Sequence, residues 1–264
     1  MPQKHSSVFA LKKEIDPGLY RGLGIFGVAV IGLAWCILSY GRIIGPDFLP
    51  TPTAVAGAFL KVSANGSLIK NVWASASVVL AGFVLAAVVA VPLGVLAGSV
   101  RVVEAIVEPV TNFVRYLPVT ALIPLLILWV GIGTAQKISV IFLGTVFNLT
   151  VMVADVSARV ERSLLEAGFT LGANNKQALL KILFPACLPG IMDALRVNMG
   201  VAWTYIVVAE LVASSHGLGF MILNAMRGLF TDVIFMGIVV IGLLGLIFDQ
   251  LLKLAKRFFL PWTV

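Results

Sequence analysis

Charge is the scarcest ingredient of this chain. Asp, Glu, Lys and Arg make up 12% of its 264 residues, whereas 60% are hydrophobic and the mean hydropathy is +1.05. An ordinary soluble domain carries about 25% charge. A water-soluble fold of this composition would have to expose much of its apolar surface, so lipid is the solvent it fits. Histidine and cysteine are nearly absent: His5, His216, Cys36 and Cys187 are the full complement. Neither pair has the spacing of a metal site, and each cysteine lies in or beside an apolar run, where it reads as a small buried hydrophobe. There is no Gly-x-x-x-x-Gly-Lys phosphate loop, so ATP hydrolysis by this chain is not expected. Ser-His-Asp order, paired carboxylates, internal repeats and low-complexity tracts are also missing. The expectation is a protein that is not an enzyme and binds no cofactor or metal of its own.

What the sequence has is long apolar stretches. A hydrocarbon core of about 30 Å needs roughly 20 apolar residues of helix. Residues 22–40, 72–99, 105–131, 138–156, 188–213 and 233–255 meet that length. The fold class is therefore all-α and polytopic, with about six transmembrane helices in one domain over residues 22–264, behind a cytoplasmic segment of residues 1–21. That first segment is polar with mixed charge, and no small-x-small cleavage site follows the first run, which is expected to stay as an anchor. The third stretch carries Pro109, Pro118 and Pro124. Each removes a backbone donor, and in lipid the freed carbonyls need protein or water partners, so this segment is expected inside the bundle.

The net charge is +7. The basic residues form no stripe of the kind that binds nucleic acid; they sit in the breaks between apolar runs, where the positive-inside rule puts them. With a cytoplasmic N-terminus, the inner side and inner helix ends hold Lys4, Lys12, Lys13, Arg21, Arg101, Arg115, Arg159, Arg162, Lys176, Lys181, Arg196, Lys253, Lys256 and Arg257. The outer side holds Arg42, Lys61, Lys70, Lys137 and Arg227. This bias sets both termini inside a multi-pass plasma-membrane protein. Outside, Ala54, Val55, Ala58, Phe59 and Val62 have helical spacing and predict a short amphipathic surface helix. The stretch 220–230, after His216-Gly217-Leu218-Gly219, is apolar but too short to cross, and predicts a re-entrant or interfacial helix.

The inner segment 158–185 has the polarity of a soluble helix pair. Glu166-Ala167-Gly168-Phe169-Thr170-Leu171-Gly172 is followed by nine residues, beginning at Ala173, and then by Ile182-Leu183-Phe184-Pro185. Small side chains at 167 and 168 let another surface approach the backbone. Gly172 can take the left-handed conformation that ends a helix, Asn174 can cap the next, and Pro185 marks a boundary before the fifth span. Two short helices at an angle are expected. This spacing resembles the coupling motif of ABC importer permeases, Glu-Ala-Ala, three residues, Gly, nine residues, Ile-x-Leu-Pro, departing at Gly168 and Phe184. Residues 48–52, Leu122-Ile123-Pro124-Leu125, Trp129 to Gly133, Ala209-Glu210-Leu211, Gly217-Leu218-Gly219 and Thr231-Asp232-Val233 are similar to signatures of the taurine, alkanesulfonate and nitrate group of that family.

The resemblance implies a type I importer permease fold working as a dimer with two ATPase subunits, which carry ATP and Mg, and with a periplasmic or lipid-anchored solute-binding protein. It implies that Glu166, Ala167, Gly168, Leu171, Gly172 and Ala173 dock on the ATPase. The implied solute is a small anion, a sulfonate such as taurine ahead of nitrate, with pyrimidine-type or aromatic-acid solutes as alternatives. A passive channel or secondary transporter is the rival from another class.

Polar residues at membrane depth are functional candidates because burying them there costs several kcal/mol. Arg115 and Tyr116 could line a path, with pairing of Arg115 to Glu108 as the structural alternative. Asn148, Thr150, Thr204 and Tyr205 could face a cavity or bond between helices. Glu210 is a further path candidate; a carboxylate there would repel an anion, so pairing with Arg227 or a helix terminus is expected, with gating as the alternative. Asp193 and Arg196 are expected to pair with each other. Gly200, Gly237, Gly242 and Gly245 are expected at close helix contacts.

Overall fold

The computed structural model describes residues 15–263, which contain helices and no strand. Lys4, His5, Lys12 and Lys13 lie outside the described residues. Helix α1 (Pro17–Tyr40) starts where the Asp16 carboxylate accepts from the Gly18 and Leu19 N–H groups and Pro17 fills a position that needs no donor. That cap sets its start ahead of residue 22, where hydropathy alone rises. Helix α2 (Pro52–Ala64), capped by Thr51, buries Val55 and Ala58, as its spacing predicts. Helix α3 (Ser67–Ser99) follows, 33 residues long with Pro92 inside it.

The proline-rich third stretch is two helices. Helix α4 (Arg101–Val114) and the pair formed by a 3-10 turn (Val119–Leu122) and α5 (Ile123–Val130) meet at 83°. Pro109 is tolerated within α4 and Pro124 opens α5; the break falls at residues 115–118. The expectation of a segment inside the bundle needs correction for this chain. Val102, Ile106, Val110, Phe113, Leu128 and Trp129 are exposed, while Thr111 on α4, which touches α3 and α6, and Val119, Ile123 and Leu126 pack inward.

Helix α6 (Thr134–Ala158) leads to the polar segment, α7 (Arg162–Thr170) and the single turn α8 (Asn175–Gln177). From α8 the chain runs through a π-helical stretch, Ala178–Leu183, straight into α9 (Phe184–Ala213). Residues 175–212 are one continuous helix. The expected boundary at Pro185 is absent, because the wider π turn precedes the proline and Pro185 sits in the first turn of α9, where no donor is required. Helix α10 (Leu218–Arg227) is too short to span, and α11 (Thr231–Phe259) completes the set. Five helices are long and apolar enough to cross a bilayer, and a sixth crossing exists if the bent α4–α5 pair is counted as one.

Helices α3 and α6 form the most extensive contact, and glycine is the reason they fit. A Cβ on Gly98 would lie 2.2 Å from the Ala154 carbonyl oxygen, one on Gly94 2.7 Å from that of Thr150, and one on Gly82 2.8 Å from Ile141 Cβ. Small residues let backbones approach where water provides no drive for association. Ser157 Oγ then donates to the Val95 carbonyl at 3.0 Å. The sequence reading assigned this role to α11 instead. There Gly237 is close-packed against Ile222, but Gly242 and Gly245, like Gly200 on α9, have open space around them.

Charges tie α9 to α11. Asp193 does not pair with Arg196; it accepts from Lys256 Nζ at 2.6 Å, while Arg196 pairs with Asp249, which also holds Lys253 at 3.1 Å. The contact between two helices outcompetes the expected pair along one.

Candidate functional site

Two constructions stand at opposite ends of the continuous 175–212 helix: a polar hairpin and a buried carboxylate. The hairpin is closed by backbone geometry. Gly172 has φ +85°, its N–H donates to the Phe169 carbonyl at 2.9 Å, and the Ala173 N–H donates to the Gly168 carbonyl at 3.0 Å. This double bond around a left-handed residue is the Schellman stop, and it satisfies the last carbonyls of α7. Beyond it, Asn174 Oδ1 accepts from the Gln177 N–H at 2.9 Å, and Gln177 Oε1 accepts from the Asn174 N–H at 3.0 Å. The reciprocal box starts the next helix without a gap.

The predicted docking residues fall on this turn. Glu166 and Ala167 are exposed on α7, and the Glu166 carboxylate has no partner among the described residues. Leu171, at the tip, is 88% exposed, with Leu164, Phe169 and Leu180 exposed near it. Ala173 is half-buried. Gly168 is buried, and Ile182 Cδ1 lies 2.2 Å from the place where its Cβ would stand. The isoleucine methyl thus fills the space that an alanine at 168 would take.

At the other end, Glu210 on α9 is 1% exposed. Ser75 Oγ, on α3, donates to its two oxygens across 2.8 and 3.0 Å, and the Gly219 N–H donates to Oε2 at 2.8 Å. The Leu218 N–H donates to Ser75 Oγ at 2.8 Å, and the Gly217 N–H to Asn71 Oδ1 at 2.9 Å. Three of the otherwise orphaned donors opening α10 are satisfied, and their dipole faces the carboxylate. Gly217 has φ +117°, and a Cβ there would lie 2.1 Å from Glu210 Oε1. The helix-terminus partner expected for Glu210 is the one found; Arg227 makes no salt bridge among the described residues.

The path candidates do not converge within this chain. Asn148 Nδ2 donates to Asn198 Oδ1 at 3.1 Å between α6 and α9. Thr204 is exposed on α9 and its hydroxyl returns to the Gly200 carbonyl, as that of Thr150 returns to Val146. Tyr205 is half-buried against Gly144. Arg115 and Tyr116 are exposed at the α4 break, where Arg115 Nη2 donates to Tyr116 Oη at 3.1 Å and stacks over that ring; it does not pair with Glu108.

Sequence reasoning missed Asn71, Ser75 and Lys137. The first two are i, i+4 on one face of an otherwise apolar helix, a spacing that could have flagged them. Lys137, in the sequence a topological charge, is 8% exposed and donates to Ser214 Oγ at 3.0 Å.

The family described as binding-protein-dependent transport system inner membrane component matches residues 90–259. A probable ABC transporter permease protein of Brucella melitensis is 35% identical over 241 residues, 91% of this chain and 97% of that one. The taurine transport system permease protein TauC of Escherichia coli is 32% identical over 246 residues, 91% of this chain and 89% of that one. The riboflavin transport system permease protein RibX of Chloroflexus aurantiacus is 34% identical over 215 residues, 81% and 80%. The permease fold is shared with a chain of the MetNI methionine ABC transporter, with a TM-score of 0.60 at 22% identity over 74% of this chain and 99% of that one. The bundle with its bent third crossing, the closed hairpin and these matches lead to one conclusion: the chain belongs to the binding-protein-dependent inner-membrane components and is an ABC importer permease subunit.

Proposed function

We propose that two copies of this chain form the translocation pathway of an importer for a small organic anion, a sulfonate such as taurine, with both termini and the Glu166–Pro185 hairpin cytoplasmic. Two ATPase subunits carrying ATP and Mg receive the hairpins, and a periplasmic or lipid-anchored binding protein delivers solute to the opposite mouth. The observation that carries the coupling role is the hairpin's construction. It is fixed at both ends by caps, yet presents Leu171 and an unpartnered Glu166 to solvent, which is what a knob needs to enter a groove in another subunit. Closure of the ATPase pair would bias the permease between two states through their different affinities for nucleotide.

The arrangement of Arg115, Tyr116 and Thr204 supports the dimeric reading. They are exposed on a single chain, and the broad apolar faces of α4 and α5 beside them suit a second copy. The sulfonate assignment draws on the taurine permease relative; an aromatic heterocycle is the second reading, drawn from the riboflavin permease relative. The first test is recovery of the tagged chain from its native membrane in mild detergent. A stoichiometric ATPase should accompany it, and Glu166→Lys should lose that subunit while still inserting. Normal solute uptake and normal ATPase recovery in the variant would remove the coupling assignment.

A further inference from the structure

We infer that the pocket between the first turn of α6, the α9–α10 loop and one face of α10 binds a small organic oxyanion, a sulfonate or carboxylate head carrying a short apolar group. The cavity measures about 520 Å³ and lies at the end of the bundle opposite the hairpin. That volume is in the range of small-molecule sites. Its wall has two chemistries: Lys137, Arg227 and Thr134 offer donors, while Leu211 and Phe220 offer apolar surface; the Ser214 hydroxyl is already spent on the His216 carbonyl. Lys137 is buried, and Nζ makes one hydrogen bond, to Ser214 Oγ. An ammonium has three donors, so two remain.

No carboxylate lines this cavity, and among the described residues neither Lys137 nor Arg227 forms a salt bridge. Glu210 precedes Leu211 in the chain but is committed elsewhere, to Ser75 and to the Gly219 N–H. Lys137 senses the Glu210 charge from beyond ion-pair distance, so an anion entering the cavity would be its first direct ionic contact. The Arg227 guanidinium and the Thr134 hydroxyl suit the remaining oxygens of a sulfonate or carboxylate, and the apolar wall suits the carbon attached to the head. The inference rests on the importer reading for the solute's class, and it adds a solute contact made by the permease itself.

The test titrates propane-1-sulfonate, with propan-1-ol as the neutral control, into the full chain with its ATPase in phosphatidylcholine nanodiscs, read by calorimetry. The sulfonate should bind and the alcohol should not. Lys137→Met should weaken binding about tenfold. Arg227→Gln, on an exposed position that leaves the fold intact, should weaken it about threefold, the scale of a surface charge. Equal binding of the alcohol, or unchanged affinity in Arg227→Gln, would overturn the site. Retained binding in nanodiscs containing phosphatidylglycerol supports a solute; displacement by that lipid would reassign the pocket to a headgroup and overturn the proposal. ATPase recovery is scored in the same preparation, so its absence would sink the importer reading without altering the binding result.

Discussion

Replacing Gly217 by alanine should be among the most damaging single-methyl additions in this chain. The position has φ +117° and ψ 168°, a region populated essentially by glycine, and holding alanine there costs about 2 kcal/mol. The new Cβ would also stand 2.1 Å from Glu210 Oε1 and 2.3 Å from its Cδ. Glu210 cannot yield in place, because its oxygens are held by Ser75 and the Gly219 N–H. Evicting it breaks charge-assisted bonds worth about 1.5–3 kcal/mol each and strands their donors. The sum is about 5–8 kcal/mol, enough to lower the melting temperature in detergent by many degrees. The cause can be isolated with a double-mutant cycle. In a Glu210→Ala background the clash disappears, so adding Gly217→Ala should cost only the backbone strain, leaving a coupling of about 3–6 kcal/mol. Gly57→Ala, where a Cβ meets open space on α2, controls for the added methyl. Equal penalties for Gly217→Ala in both backgrounds would refute the argument, since the carboxylate would then play no part.

Two further outcomes follow from close contacts. Gly98→Ala forces a Cβ to 2.2 Å from a backbone oxygen of α6 and cannot be relieved by rotating a side chain, so it should destabilise by about 2–4 kcal/mol, seen as poor recovery of folded protein by size-exclusion chromatography. Gly168→Ala meets only the far end of Ile182 and should cost less than about 1 kcal/mol with ATPase recovery unchanged, whereas Gly168→Leu should lose the ATPase on copurification while the bundle still inserts.

The hairpin was readable because its signals are local. Gly172, Asn174 and their neighbours determine their own turn through backbone bonds spanning a few residues, so spacing sufficed. The spans were readable because lipid demands apolar length. Partners across the fold were not readable. Asp193 has Arg196 in reach along its helix, but the approach of α11 brings Lys256 closer, and nothing in residues 193–196 encodes that approach. The glycines show the same limit. Those of α3 meet α6 and those of α11 mostly meet nothing, although the two helices look equally glycine-rich in one dimension. The third stretch was misjudged for a different reason. Its prolines announced irregular backbone, but Pro109 and Pro124 are absorbed by helices, and the bend falls where Pro118 meets a run without caps.

The unbroken helix from Asn175 to Val212 makes the molecule a lever. At 1.5 Å per residue, about 50 Å separate its hairpin end from Glu210. If the arm swings as one piece, a tilt of about 5° at the hairpin end carries the carboxylate through about 4 Å, farther than the length of any bond in its clasp. The long arm therefore leaves two options at its tip: Asn71, Ser75 and the start of α10 travel with Glu210 as one block, or the clasp parts. A crosslink between residues 75 and 218 distinguishes these mechanical regimes, for it leaves a block free to swing and arrests a clasp that must open.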